Sequence, residues 1–269
     1  MPLNDTPLTY ADEHADPCYT FTEYLRSPTH RNRLACIIDM IAAHRPPHPS
    51  VRILDVGCGM GNISAPLASR GYSVLGIDVH APSVEHAART YVLPNLAFKA
   101  APVQSLDLSQ FDVIILTEVL EHVSNWKDML RYMAGGMRSD ALLILTVPNG
   151  VSPTELVCRP SYRLKKTKFG TRIVRAIKWC LRTKDLTTSD QQTPHVNFYR
   201  LKTLQAAFAD NQLAVKSFCS IFFLWSLWEV FFSRLISERW ARRDFRLAQR
   251  LPPSLRTLWA FAPLASHRG

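Results

Sequence analysis

No Cys-x-x-Cys pair occurs among the six cysteines of this 269-residue chain, so neither a zinc module nor a disulfide scaffold is expected. Reduced thiols packed as small apolar groups are the expectation instead. The opening residues, MPLNDTPLTYADEHAD, have no basic start and no apolar stretch. That argues against a secretory signal and for a cytoplasmic setting, peripheral to the inner membrane face at most. There is no internal repeat and no low-complexity tract. Hydrophobic residues at 47% and charged residues at 20% are ordinary globular usage, which excludes a disordered or fibrous architecture. The greasiest run, 221–232, is broken by Glu229 and followed by Arg234, and falls short of the roughly 20 residues needed to span a bilayer.

Acidic residues are scarce only in particular stretches. Residues 1–150 carry 11 basic and 15 acidic side chains, 151–185 carry 10 and 2, 186–233 carry 3 and 3, and 234–269 carry 8 and 2. The net charge of +10 therefore resides in two late blocks, a pattern suited to an anionic partner such as lipid headgroups or nucleic acid.

Along the chain, Phe21 to Ile41 has helical spacing at Leu34, Ile37, Ile38 and Ile41 and stops at Arg45-Pro46-Pro47-His48-Pro49. Strands are expected at 51–56, 73–77, 96–100, 111–116 and 142–147, with helices at 64–70, 82–90 and 125–134 between them. A helix at 201–210 and a strand at 213–219 resume the alternation, and the last fifty residues read as helical or irregular. Near-continuous apolar strands separated by helices imply parallel units covered on both faces. The expected architecture is α/β, a doubly wound, mostly parallel sheet. It divides into a helical lead-in (1–50), an α/β core (51–150), a basic amphipathic insert (151–195), and a segment (196–269) that completes the sheet and ends in aromatic-rich helices.

In the insert, Phe169, Ile173, Ile177 and Cys180 or Leu181 recur at helical spacing opposite Arg172, Arg175, Lys178 and Arg182. Such a helix suits an anionic membrane interface; a surface helix with a solvated charged face has the same pattern. Trp225, Trp228, Trp240 and Trp259, mixed with arginines, suit an interface or a greasy pocket equally.

The first core strand ends in Asp55-Val56-Gly57-Cys58-Gly59-Met60-Gly61-Asn62. Three glycines let a backbone turn tightly against a ligand, and the turn opens a helix whose free N–H groups favour a negative group. Dinucleotide-binding enzymes share such a loop, but their third glycine would fall at Asn62. The next strand ends in Asp78, where a carboxylate can accept two hydrogen bonds from vicinal ribose hydroxyls.

The runs LDVGCGMGN, GIDVH, FDVIILTEVLEHV and LLILTVPNG, with the later HVNFYRLKTLQAAFADNQLAV, resemble the class I S-adenosylmethionine-dependent methyltransferases of Rossmann-like fold. Within that group they are most similar to the ubiquinone-biosynthesis O-methyltransferases. The resemblance implies S-adenosyl-L-methionine as cofactor. Asp55, Gly57, Gly59 and Gly61 would surround its methionine part, Asp78 its ribose, and Ala101, Pro102 and Val103 its adenine, where an acidic residue often present is missing. Thr117 and Glu118 would face the sulfonium. It also implies that Glu118, Glu121 and His122 can hold a divalent ion, magnesium or manganese; the alternative is that EVLEHV merely shapes a turn. If a turn forms, these three share one helical face.

Methyl transfer is an in-line displacement that needs alignment and, for a hydroxyl acceptor, a base. Candidate catalytic residues are His195, His122 and Glu118, though His195 equally suits helix entry. The expected acceptor is a hydrophobic or lipid-linked small molecule at an anionic membrane surface, methylated on oxygen. A nucleic-acid substrate is not expected, because Thr117-Glu118-Val119-Leu120 stands where an N/D-P-P-Y/F motif would. The alternatives are a methyltransferase acting on nucleic acid and a non-catalytic S-adenosylmethionine-binding protein.

Overall fold

A computed structural model describes residues 24–148 except 26, residues 197–219 except 198, the backbone of 260–267, and isolated positions at 167, 171–172, 243, 246–247 and 250. The basic insert, His195 and the tryptophan-rich run lie outside the described residues, apart from those isolated positions.

Seven strands form one sheet: β1 (Arg52–Val56), β2 (Ser73–Asp78), β3 (Leu96–Ala100), β4 (Val113–Thr117), β5 (Leu142–Pro148), β6 (Leu213–Cys219) and β7 (Ala260–His267), in the order β3-β2-β1-β4-β5-β7-β6. The first five pair in parallel, and β7 lies antiparallel to both β5 and β6. The helices are α1 (Pro28–His44), α2 (Ser64–Ala68), α3 (Ala81–Thr90), α4 (Trp126–Gly136) and α5 (Leu201–Asp210). The doubly wound, mostly parallel expectation is met.

Strand pleating explains the two layers. Side chains alternate across the sheet, so Leu54, Ile114, Leu116, Leu143 and Leu145 pack with Met129, Leu130 and Met133 of α4 and with Leu204 and Phe208 of α5. Their neighbours Ile53, Val113, Ile115, Leu142 and Ile144 pack on the other face with Leu34, Ile37, Met40 and Ile41 of α1. Both faces are dry, which is why the central strands read as unbroken apolar runs.

Two expectations are corrected. Residues 260–267, read as helical or irregular, form β7 between β5 and β6. Pro263, which lacks the N–H that a central strand uses, lies opposite Phe218 of β6. Cys36 of α1, read as a reduced thiol, is joined to Cys219 at the end of β6 by a disulfide. Cys58 remains free and buried.

Candidate active site

The sheet register puts the carboxyl ends of β1, β2, β4 and β5 on one edge: Val56 pairs with Ile77 and Leu116, and Thr117 with Thr146. Strand β1 has β2 on one side and β4 on the other, so the crevice above it is the switch point where ligands bind in open α/β sheets.

The glycine loop occupies that crevice. Gly57, Gly59 and Gly61 have φ of 74°, 50° and 77°, a region disfavoured for residues with a Cβ. The N–H groups of Gly57 and Cys58 both donate to Ile77 O, at 2.8 and 2.9 Å. A Cβ at Gly57 would meet Val119 Cγ2 at 2.5 Å, and one at Gly61 would meet Phe98 Cζ at 2.7 Å. Gly59 differs: a Cβ there would meet nothing within 4 Å. Protein packing therefore explains two of the glycines, and Gly59 faces the open crevice.

Asp78 Oδ2 accepts from the Gly59 N–H and Oδ1 from the His80 N–H, each at 2.9 Å. A carboxylate offers about four lone-pair sites, so both oxygens retain acceptor capacity. Behind the loop, Asp55 is buried and accepts from Ser64 Oγ at 2.6 Å. Burial pushes its carboxyl up to about 7; the Ser64 hydroxyl opposes the rise and Asp78 adds to it. Ala101 is tied to β2 through its N–H to Asp78 O at 3.0 Å. Ala101 and Val103 are buried and Pro102 is exposed, while Val79, beside Asp78, is 44% exposed.

Across the crevice, β4 ends in a knot. Glu118 has φ 55°, a left-handed conformation costing of order 1–3 kcal/mol in a non-glycine residue. Thr146 of β5 holds it there. The Glu118 N–H donates to Thr146 O at 3.1 Å and to Thr146 Oγ1 at 3.2 Å, and that hydroxyl donates to Glu118 Oε1 at 3.0 Å. Arg33 of α1 pairs with the other oxygen, Nη2 to Oε2 at 3.0 Å, with the arginine side chain only 12% exposed. Glu118 leads the causes that keep the buried guanidinium charged against desolvation. Tyr24 stands beside Arg33, and burial is the main reason its hydroxyl pKa rises. The Tyr24 ring stacks on His30 at 4.3 Å. Burial, and then the Arg33 charge, lower the His30 imidazole to about 4.

The next residues form a short 3-10 turn, Leu120–His122. The left-handed Glu118 before it breaks the geometry, so Glu118, Glu121 and His122 do not share a helical face. Glu121 is completely buried, and neither carboxylate oxygen has a hydrogen-bond partner beyond its own backbone. Burial, and then Glu118, raise its pKa well above the usual carboxylate range. Among the described residues, no three His, Cys, Asp or Glu side chains are grouped to hold a metal ion. The expected triad is not assembled: the Glu118 carboxylate is held by Arg33 and Thr146 instead. The turn is braced from afar: Asn197 Nδ2 donates to Leu120 O and Val123 O at 3.1 and 2.6 Å, and Tyr199 Oη donates to Leu120 O at 2.7 Å.

The structure thus brings together Asp55, the three glycines, Asp78, Ala101 to Val103, Thr117 and Glu118 at one edge, with His122 half-buried on the turn beside them. His195 lies outside the described residues. Sequence reading missed Arg33, Tyr24, Thr146 and the bracing role of Asn197 and Tyr199. Only the last two had a signal, the HVNFY run. Among the described residues no helix is long and apolar enough to cross a membrane.

A methyltransferase-domain family model matches residues 23–217, and the chain belongs to that family. The fold is that of S-adenosylmethionine-dependent methyltransferases. The chain is similar to the ubiquinone biosynthesis O-methyltransferase of Rickettsia felis, 33% identical over 121 residues, covering 44% of this chain and 49% of the relative. The enzyme of that name from Chelativorans sp. is 33% identical over 129 residues, covering 44% and 51%. The chain spans about half the length of the curated relatives it matches. Among solved structures, magnesium protoporphyrin IX methyltransferase from Synechocystis PCC 6803 with bound SAH aligns at TM-score 0.53 and 16% identity, over 95% of this chain and 91% of that one. PKMT2 from Rickettsia typhi in complex with AdoHcy aligns at 0.56 and 18%, over 94% and 55%. At these identities the structures speak for the fold alone.

Proposed function

We propose that this chain methylates an oxygen of a hydrophobic or lipid-linked small molecule, using S-adenosylmethionine, at the cytosolic face of a membrane. The observation that carries the reading is the position of Gly59, whose missing side chain faces open crevice and not protein, with Asp78 clamping its N–H.

The cofactor fits these residues. Its ribose hydroxyls would donate to the lone pairs that Asp78 has left, its methionine part would lie over Gly57 to Gly61, and the exposed Val79 and Pro102 offer apolar surface to the adenine. When bound, it supplies an electrophilic methyl carbon on a sulfonium. The protein's share is alignment, with Thr117 and Glu118 at the crevice wall. Arg33 and Thr146 engage Glu118, so proton removal from an acceptor hydroxyl falls to an imidazole, His122 or His195.

Two features support the acceptor class. The curated relatives are named for ubiquinone biosynthesis, and the basic residues of 151–185 follow β5 in the sequence. Calorimetry with S-adenosylhomocysteine tests the first half of the reading, and absence of binding overturns it. Mass spectrometry of lipid extracts with and without the protein tests the second. The expected product is a lipid-soluble species heavier by one methylene, and a product found only in the aqueous fraction would refute the lipid-linked acceptor.

A further inference from the structure

We propose that the Arg33 guanidinium is a built-in cation that takes the place of a divalent metal beside Glu118 and Glu121, making the acceptor side of this site metal-independent. The inference rests on the methyltransferase reading and concerns how the acceptor end of that site is held.

The EVLEH segment resembles relatives in which two carboxylates and an imidazole can hold a metal. Three features of this segment weigh against a metal here. Arg33 reaches in from α1 and is nearly buried, with Nη2 at 3.0 Å from Glu118 Oε2. A divalent ion there would sit beside a guanidinium that cannot lose its charge, in a setting where like charges repel more strongly than in water. Glu118 Oε1 accepts from the Thr146 hydroxyl at 3.0 Å, so the carboxylate is held between α1 and β5, and among the described residues it forms no metal-holding group with Glu121 and His122. Finally, Glu121 is fully buried and within electrostatic range of both Arg33 and Glu118. The half-buried Glu118 carboxylate has its countercharge in the Arg33 guanidinium, so the chain supplies its own cation.

On this account Arg33 is a positioning residue. It fixes the Glu118 side chain, and through Glu118 it fixes Val119, whose methyl group lies where a side chain at Gly57 would be. The lead-in helix is thereby coupled to the cofactor loop. The arginine also gives the site a charge that is independent of the metal content of its surroundings.

The test is a manganese titration of the full chain followed by electron paramagnetic resonance. The wild type is expected to leave the ion free, and its affinity for S-adenosylhomocysteine is expected to be the same in EDTA and in manganese. Arg33→Met leaves the carboxylates without a cation and is expected to gain stoichiometric manganese binding, which the added change Glu118→Gln abolishes. Arg33→Lys keeps the charge and is expected to bind none. Stoichiometric binding by the wild type that Glu118→Gln abolishes overturns the proposal, as does a folded Arg33→Met that binds no manganese. If Arg33→Met does not fold, the wild type and Arg33→Lys decide alone. Failure of the wild type to bind S-adenosylhomocysteine would instead overturn the methyltransferase reading, a separate measurement.

Discussion

The backbone N–H of Gly59 donates to Asp78 Oδ2 at 2.9 Å, tying the turn after β1 to the end of β2. One carboxylate thus shapes the loop and faces the crevice where a ribose would lie. Asp78→Ala removes both roles, and S-adenosylhomocysteine affinity is expected to fall by about 1.5–3 kcal/mol, the worth of hydrogen bonds to a charged group. Asp78→Asn keeps one carbonyl acceptor and is expected to lose less. Calorimetry on the two variants checks the order; equal affinities in wild type and Asp78→Ala would remove Asp78 from the binding site.

Gly59 and Gly61 separate binding from folding. Both have positive φ, but a Cβ at Gly61 would strike Phe98 at 2.7 Å and Tyr91 at 3.2 Å, while one at Gly59 meets nothing within 4 Å. Gly59→Ala is expected to lose only about 1–2 kcal/mol of stability from the left-handed backbone and yet to lose most cofactor affinity. Gly61→Ala is expected to melt at a clearly lower temperature. Thermal melts and calorimetry on the same preparations distinguish them.

Asp55 makes stability depend on pH. Its folded pKa of about 7 lies above the ordinary 3.8, so between those values the folded chain keeps a proton that the unfolded chain has released. The contribution is complete below the unfolded value and is lost as pH rises through about 7. Asp55→Asn cannot ionise, so it is expected to be more stable than wild type at about pH 8, by up to roughly 4 kcal/mol, with the advantage shrinking toward about pH 4. Urea melts across that range check it; an advantage that does not change with pH would refute the assignment.

Thr146 holds the strained end of β4. Thr146→Val preserves shape and strand preference but removes the hydroxyl that accepts from the Glu118 N–H and donates to Glu118 Oε1. The expected cost is about 2–3 kcal/mol, because a charged partner is involved. The companion change Glu118→Gly removes the φ penalty and the carboxylate together, so the double variant is expected to lose less than the sum of the singles. Denaturant titrations of the four proteins measure the coupling.

The basic stretch is tested on vesicles. Reversing Arg172, Arg175 and Lys178 to Glu is expected to release the chain from anionic liposomes and to leave S-adenosylhomocysteine affinity unchanged. Wild-type binding is expected to weaken as salt shortens the Debye length from about 10 Å at 0.1 M to about 3 Å at 1 M. Sedimentation at both salt concentrations reads the effect; a wild type that stays in the supernatant at low salt would leave the stretch as a solvated face.

Much of this molecule is legible in its sequence, because the governing interactions are local or periodic. Strands β1, β4 and β5 are buried on both faces and must be apolar at every position, so VRILDV, FDVIIL and LLILTV are recognisable without partners. The glycine loop is legible because steric exclusion of a Cβ acts residue by residue, and Asp78 because it ends a strand at a fixed interval from that loop. The character of EVLEHV as a chemical segment was legible too, but its shape was not: helical spacing assumed a regular turn, and the left-handed Glu118 is imposed by Thr146 and Arg33 from other elements.

What only the tertiary structure decided are the pairings between segments far apart in the chain. Arg33 is an ordinary basic residue beside the apolar stripe of α1, and nothing near it in sequence announces a carboxylate. Its role exists because α1 packs on the face of the sheet that brings it to the end of β4. Cys36 and Cys219 meet for the same reason. The last strand, AFAPLASH, lacks alternation and contains a proline; backbone hydrogen bonds to β5 and β6, which carry no sequence signature, make it a strand. Sequence alone determined the layers and the glycine loop, where each residue answers to its own sterics and its immediate neighbours. The end of β4 and the last strand were decided by folding, because an ion pair or a sheet edge is a property of two segments at once.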